Sequence, residues 1–327
     1  MQPFDLKTPK TLDEAIAELP KERSRTAPQV LAGGQDLLTV MKDDIAAPTA
    51  LVEISDLALG GIEVSADGAL TIGALATIQE IADSSAVAKS FPGLVEAAKS
   101  IASPQIRSQA TLGGNLNQKP RCPYYRHPGV SCFKKGGNVC LAEFGFNKYA
   151  AILGGGPSYF SHPSDMATAL MVYKASVTAK GPRGEREIPL FQYYVLPDVA
   201  LDRESVLDAD EVVTKITVPG PPKDARSTYM KFKERASYDF ALGAVAVSLV
   251  LEGSTIKEAS VVLGGVAPTP WPSPEASAAL VGQEMGPEAW KAAGEAAVAD
   301  AVPLENNGYK VHLIKGVLYR ALEGLAG

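Results

Sequence analysis

With 327 residues, 46% hydrophobic and 21% charged, the chain has the composition of a soluble globular protein and enough length for two or three folding units. Its formal net charge of -6 disfavours a nucleic-acid partner, because neutralising phosphates needs a basic face. No apolar run approaches the ~20 residues a membrane helix requires, so no membrane span is expected. The N-terminal stretch MQPFDLKTPKTLDEA also lacks the apolar core of a secretory signal.

In chain order, residues 2–6 suit a short strand. Thr11 and Glu14 have the spacing of a capping box before a helix that Pro20 ends. Residues 29–32 read as a buried strand that runs into Gly33-Gly34-Gln35-Asp36 and then a helical pattern at Leu37, Leu38, Val40 and Met41. Residues 50–54 form another strand. Residues 62–72 form a hairpin turned at Asp67-Gly68, and Thr77 with Glu80 gives a second capping box, opening a helix that stops near Ser84. A helix from Phe91 carries Leu94, Val95, Ala98 and Ile101 inward, and Pro104 breaks it ahead of a glycine turn at Gly113-Gly114-Asn115.

Residues 117–147 have no clean period, and unstructured loops of roughly 30 residues inside a compact domain tend to be functional. Residues 149–153 restore a strand. Asp165 is expected to cap a helix over 166–173, and strands follow at 175–179, 188–190 and 211–218. Pro219-Gly220-Pro221-Pro222 is the linker candidate. Beyond it, strands at 228–232, 244–251 and 260–266 precede helices at 271–280, 287–298 and 307–325, an α+β layer.

Two features carry chemistry. Gly33-Gly34 and Gly113-Gly114 each allow close backbone approach to an anion, although glycine at a helix entry is common without a ligand. Neither matches GxGxxG or the P-loop, which disfavours a Rossmann domain or a P-loop kinase. The other feature is the thiols. All three cysteines, Cys122, Cys132 and Cys140, fall in the irregular loop, spaced C-x9-C and C-x7-C. An odd, clustered count disfavours a disulfide framework and favours an iron–sulfur or zinc site in a reducing compartment over scattered free thiols. Ser158, His127 or water could fill the fourth position. The three histidines are too dispersed for a metal triad, and no nucleophilic or acid–base constellation is evident.

The segments Leu31-Ala-Gly-Gly-Gln-Asp-Leu-Leu38, Arg107-Ser-Gln-Ala-Thr-Leu-Gly-Gly-Asn115, Arg121-Cys-Pro-Tyr-Tyr125, Ser161-His-Pro-Ser-Asp-Met166 and Tyr229-Met-Lys-Phe-Lys-Glu-Arg235 with Tyr238-Asp239 resemble the FAD-binding medium subunit of the molybdenum hydroxylases, the xanthine dehydrogenase and carbon monoxide dehydrogenase family. The likeness is greatest to the aldehyde oxidoreductase and 4-hydroxybenzoyl-CoA reductase branch, whose flavin subunit carries an extra [4Fe-4S] cluster. The resemblance implies an α+β fold. Residues 1–220 would form a two-lobed FAD-binding domain of the PCMH/vanillyl-alcohol oxidase type with an iron–sulfur loop at 117–150. Residues 221–327 would form a C-terminal α+β domain with a three-stranded sheet and helices.

It further implies that Leu31, Ala32, Gly33, Gly34, Gln35, Asp36 and Leu37 wrap the FAD pyrophosphate and that Thr111, Gly113, Gly114 and Asn115 form the facing wall. Asp165 would hold a ribose or ribityl hydroxyl, and Lys231 would approach the flavin. Cys122, Cys132 and Cys140 match three cluster ligands, and the relatives' fourth cysteine falls at Ser158. A cluster with serine ligation, one with an exchangeable position, and loss of the cluster all stay open. The expected partners are a large molybdopterin-binding subunit, a small [2Fe-2S] subunit and NAD or another electron acceptor. The expected compartment is the cytoplasm, or the periplasm if a partner exports the complex. Rival expectations are a self-contained flavin oxidase or dehydrogenase, and a non-catalytic metal-binding module.

Overall fold

The computed structural model describes residues 1–236 and 238–326; Ser237 and Gly327, both inside the expected second domain, lie outside the described residues. The N-terminal sheet is parallel. Its strands β1 (Asp5–Lys7), β2 (Gln29–Leu31) and β3 (Ala50–Glu53) are ordered β1-β3-β2. A second sheet holds β4 (Ile62–Val64), β5 (Leu70–Gly73), β6 (Ser176–Gly181), β7 (Gly184–Pro189) and β8 (Val212–Val218) in the order β4-β5-β8-β6-β7. Thr77 makes the predicted reciprocal capping box with Glu80 and starts the helix Ile78–Asp83. Ser84 closes that helix and caps a further one, Ser85–Ser90, because its hydroxyl accepts from the Val87 N–H.

The third sheet corrects the expectation of three strands: it has four, β9 (Ala225–Phe232), β10 (Gly243–Glu252), β11 (Thr255–Gly264) and β12 (Trp271–Pro272), in the order β12-β11-β10-β9. Trp271 does not start a helix. It pairs with Leu263, and the helix waits for its cap at Ser273, running from Pro274 to Leu280. Residues 149–153 are likewise not a strand. Ile152 and Leu153 donate to the Val266 carbonyl and Ala151 to the Tyr159 carbonyl, without a ladder.

Both faces of the third sheet are covered. Along β10, Ala244 and Ala246 join the core built on the helices Pro92–Ser100 and Asp165–Val172. Val245, Val247 and Leu249 point to the other side, into a core with Pro274–Leu280, Pro287–Ala297 and Tyr309–Ala326. This is the period of two expected of a strand, with apolar residues in both phases because neither face meets water. Among the described residues, no helix is long and apolar enough to cross a membrane.

Candidate functional site

A cavity of about 1140 Å³ opens where the N-terminal sheet, the second sheet and the loop after β9 meet. Ala32 to Leu37, Thr111, Gly113, Gly114, Asn115, Asp165 and Lys231 all line it. Leu31 does not; its side chain packs into the small core of Val40, Met41, Ala46 and Leu51 behind the glycine segment.

The two glycine segments touch, although Gly33 and Gln109 are 76 residues apart in sequence: a Cβ on Gly33 would lie 1.9 Å from the Gln109 carbonyl oxygen. They offer different groups. Gly34 has φ of 69°, a left-handed turn that glycine tolerates. Among the described residues the N–H groups of Gly33, Gly34, Gln35, Asp36 and Leu37 find no protein acceptor, leaving a run of donors on the cavity wall.

The second segment is not the expected free turn. It is the short helix Leu112–Leu116, capped by Thr111, and its backbone donors are already used. Leu112 N–H bonds to Ala76 and Gly113 N–H to Ala74, both at 2.8 Å; Gly114 N–H bonds to Thr111 Oγ1 at 3.2 Å. This wall therefore contributes closeness. A Cβ on Gly114 would meet only Thr111 Oγ1, at 3.0 Å, and would otherwise project into open space. Asn115 is oriented by Ser164, whose hydroxyl donates to Asn115 Oδ1 at 2.6 Å.

Asp165 is the first helical residue rather than the cap; Ser164 caps, accepting from the Ala167 N–H at 3.0 Å. That leaves the Asp165 carboxylate to take Lys231 Nζ at 2.7 Å and the Tyr229 hydroxyl at 2.5 Å, so two of the predicted residues pair with each other across the two halves of the chain. The Lys231 and Asp165 side chains are 3% and 6% exposed. Burial, then the Asp165 charge, pushes the Tyr229 phenol well above its usual value, so it stays a donor.

Asp36 has a role the sequence did not suggest. Its carboxylate accepts from the Lys119 N–H at 2.6 Å and Arg126 Nη2 at 2.8 Å, and it pairs with Arg121 at 3.0 Å. Burial pulls the Arg121 guanidinium down to about 10, and Asp36 opposes that, so it remains a cation. Arg121 lies on the cavity wall over the Phe240 ring, and its buried Nε has no partner among the described residues. Glu204, also on the wall, takes Lys119 Nζ at 2.5 Å and Lys134 Nζ at 2.7 Å. Burial would raise this carboxyl, but the two lysines outweigh it and hold it down to about 2. Nothing local in the sequence marked Glu204 or Tyr194, a further wall residue.

Cys122, Cys132, Cys140 and Ser158 together line a second, much smaller cavity, and no cysteine is in a disulfide. Lys134 and Tyr125 line both cavities, so a single layer of side chains separates them. Burial, with smaller contributions from Cys140 and Cys132, raises the Cys122 thiol. His127 is exposed, its Nδ1 accepting from the Gly129 N–H, and it takes no part in this cavity. Among the described residues, no three His, Cys, Asp or Glu side chains are gathered tightly enough to hold a metal ion.

Residues 2–221 match the family described as FAD binding domain in molybdopterin dehydrogenase, and residues 227–325 match the CO dehydrogenase flavoprotein C-terminal domain. The chain belongs to this family and is a flavoprotein component of a molybdenum hydroxylase-type oxidoreductase. It is 36% identical over 295 residues to the aldehyde oxidoreductase FAD-binding subunit PaoB of Escherichia coli, covering 89% of each chain. To the carbon monoxide dehydrogenase medium chain of Hydrogenophaga pseudoflava it is 28% identical over 324 residues, 98% of this chain and 96% of that one. A solved structure of carbon monoxide dehydrogenase from the same organism superposes with a TM-score of 0.78 at 27% identity, covering 99% of this chain and 98% of that chain.

The wall fits a phosphate-bearing group. It carries unpartnered backbone donors for phosphate oxygens, the Arg121 side chain, and a glycine whose missing Cβ leaves the wall clear.

Proposed function

We propose that the chain is the electron-transfer subunit of a heteromeric molybdopterin-dependent oxidoreductase. It would assemble with a large molybdopterin-binding subunit and a small [2Fe-2S] subunit, and exchange electrons with NAD or another acceptor. The observation that carries this reading is the convergence of two sequence-distant glycine segments on one cavity, one of them with free N–H groups. When bound, FAD supplies reversible redox chemistry that links one- and two-electron partners. The chain's own residues bind and orient. Residues 33–37 would direct N–H groups at the pyrophosphate, Gly114 would leave room for it, and the Arg121 cation on the wall would favour its negative charge. Asp165, fixed by Lys231 and Tyr229, keeps lone pairs free to accept from a ribityl or ribose hydroxyl.

In this reading the first 220 residues are the two-lobed flavin unit of the PCMH/vanillyl-alcohol oxidase type, and residues 221–327 close it. A reducing compartment, the cytoplasm, suits a chain whose three cysteines stay unpaired. Gly114→Val should express as a folded protein with its flavin largely lost, read as the ratio of visible to ultraviolet absorbance. Full flavin content in that variant would sink the assignment.

A second reading concerns the cysteine cavity, and its support is that three thiols and the Ser158 hydroxyl face one space. Thiols around one tetrahedral ion lie within about 4 Å of each other, given a metal–sulfur bond of about 2.3 Å. A [4Fe-4S] cluster spreads its ligands over separate irons, and Cys122, Cys132, Cys140 and Ser158 would be its donors. Anaerobic purification should give stoichiometric iron and sulfide. Negligible iron beside full FAD would remove the cluster and leave the flavin reading intact.

A further inference from the structure

The cysteine loop has little regular structure of its own: between the helix Leu112–Leu116 and residue 149 the only helical piece is Phe133–Lys135. Such a segment carries a large ordering entropy, so something outside it must fix where the thiols point. Two carboxylates from outside the loop do so. Asp36, in the glycine segment, gathers the Lys119 N–H, Arg121 and Arg126. Arg126 also folds back on the Lys119 and Pro120 carbonyls at 2.9 and 2.7 Å, closing residues 119–126 into a ring around Cys122. Glu204 gathers Lys119 and Lys134. Lys134 follows Cys132 by two residues, and its ammonium also donates to the Leu201 carbonyl at 3.0 Å. Cys140 needs no anchor of its own, because a local turn, with Phe133 N–H on the Val139 carbonyl and Gly137 N–H on the Cys132 carbonyl, ties it to Cys132.

We propose that Asp36 and Glu204 are positioning residues for the cysteine site, Asp36 setting Cys122 and Glu204 setting Cys132. Because Asp36 sits within the segment that walls the flavin cavity, filling that cavity and ordering the cysteine site are linked, and the linkage is reciprocal. The inference rests on the reading of both cavities given above. It differs from that reading in assigning the Asp36 side chain to the loop and not to the cofactor.

The test uses the full chain purified anaerobically, with Asp36→Asn and Glu204→Gln compared to the parent. Three quantities are read: FAD per chain, iron per chain, and the alkylation rate of each cysteine by iodoacetamide after chelator treatment, mapped by peptide mass. Asp36→Asn should lose iron on the order of tenfold, as groups that orient ligands do, and Cys122 should react faster by a similar factor. Glu204→Gln should accelerate Cys132 more than Cys122. Stripping FAD from the parent should raise Cys122 reactivity towards that of Asp36→Asn. Unchanged alkylation in both variants overturns the proposal. A parent that holds no iron, with the alkylation pattern as expected, removes the cluster and keeps the positioning role. If Asp36→Asn does not fold, Arg126→Gln releases the same contact from the loop side with the glycine segment intact; unchanged Cys122 reactivity there is equally fatal.

Discussion

A methyl group added at Gly33 would press into the Gln109 carbonyl at 1.9 Å, backbone that cannot move aside, whereas at Gly114 it would touch only the Thr111 hydroxyl. Gly33→Ala should therefore lower stability by about 1–3 kcal/mol or prevent folding, as overpacking does, and thermal melting of the purified variant checks it. Gly114→Ala should melt within about 0.5 kcal/mol of the parent, yet bind FAD more weakly. At this scale the sequence was legible in residue type and silent on role. Two Gly-Gly pairs read alike, but the Ala74 carbonyl, far away in the chain, and the Thr111 hydroxyl consume the donors of the second. His162 was equally unreadable. Its ring is 5% exposed, packs 4.4 Å from Tyr194, and neither nitrogen has a partner among the described residues. Burial lowers it from 6.5 to about 3, so the unfolded chain binds its proton first. Stability is fully present above pH 6.5 and is lost as pH falls towards 3, by about 1.4 kcal/mol per pH unit from this group. Urea unfolding of His162→Phe at pH 6.5 and about 4.5 should show a shallower acid loss than the parent; an identical slope would refute the assignment.

Among the elements, those with a strong local signal came out as read. The strand Gln29–Leu31 enters the glycine turn and the helix Leu37–Lys42, and the hairpin of β4 and β5 turns at Asp67-Gly68. Boundaries failed where capping decided them, at Ser164 in place of Asp165 and Ser273 in place of Trp271. The stretch at 149–153 failed for another reason. Ile152 and Leu153 are buried in the core between the third sheet and the C-terminal helices, without a ladder of their own. Lys310, 1% exposed on the helix Tyr309–Ala326, fastens that stretch by donating to the Tyr149 and Gly265 carbonyls at 3.1 and 2.7 Å. Lys310→Met should cost about 1–3 kcal/mol by leaving both carbonyls short of a donor, measurable as a reduced urea midpoint with FAD still bound.

For the whole molecule, the packing does not respect the linker candidate at 219–222. Tyr229, Ala244, Ala246 and Val262 belong to the core of the first part, and Ile152 and Leu153 to the core of the second. The exit of the cysteine loop is pinned across the same divide. Asn307 Nδ2 donates to the Ala150 and Ala151 carbonyls, both at 3.2 Å, and the Tyr309 hydroxyl to the Lys148 carbonyl at 3.0 Å. Residues 1–220 and 221–327 expressed apart should each expose apolar surface and aggregate, and the intact chain should unfold in one transition by circular dichroism and flavin fluorescence together. Two soluble, well-folded fragments would contradict this. The sequence offered a linker candidate because proline and glycine act locally; it hid the shared sheet because β10 is apolar in both phases and gives no hint of what lies on either side.

The Asp165–Lys231 pair has a consequence for biosynthesis. A ribosome making the chain at about 5–20 residues per second releases Asp165 several seconds before its counter-ion exists. Until Lys231 and the Tyr238 to Phe240 segment emerge, the large cavity lacks a side and a buried carboxylate lacks its cation. Vitamin supply thus acts on finished polypeptide: riboflavin-starved cells should accumulate full-length protein awaiting its pigment, and nascent chains stalled before Lys231 should capture none.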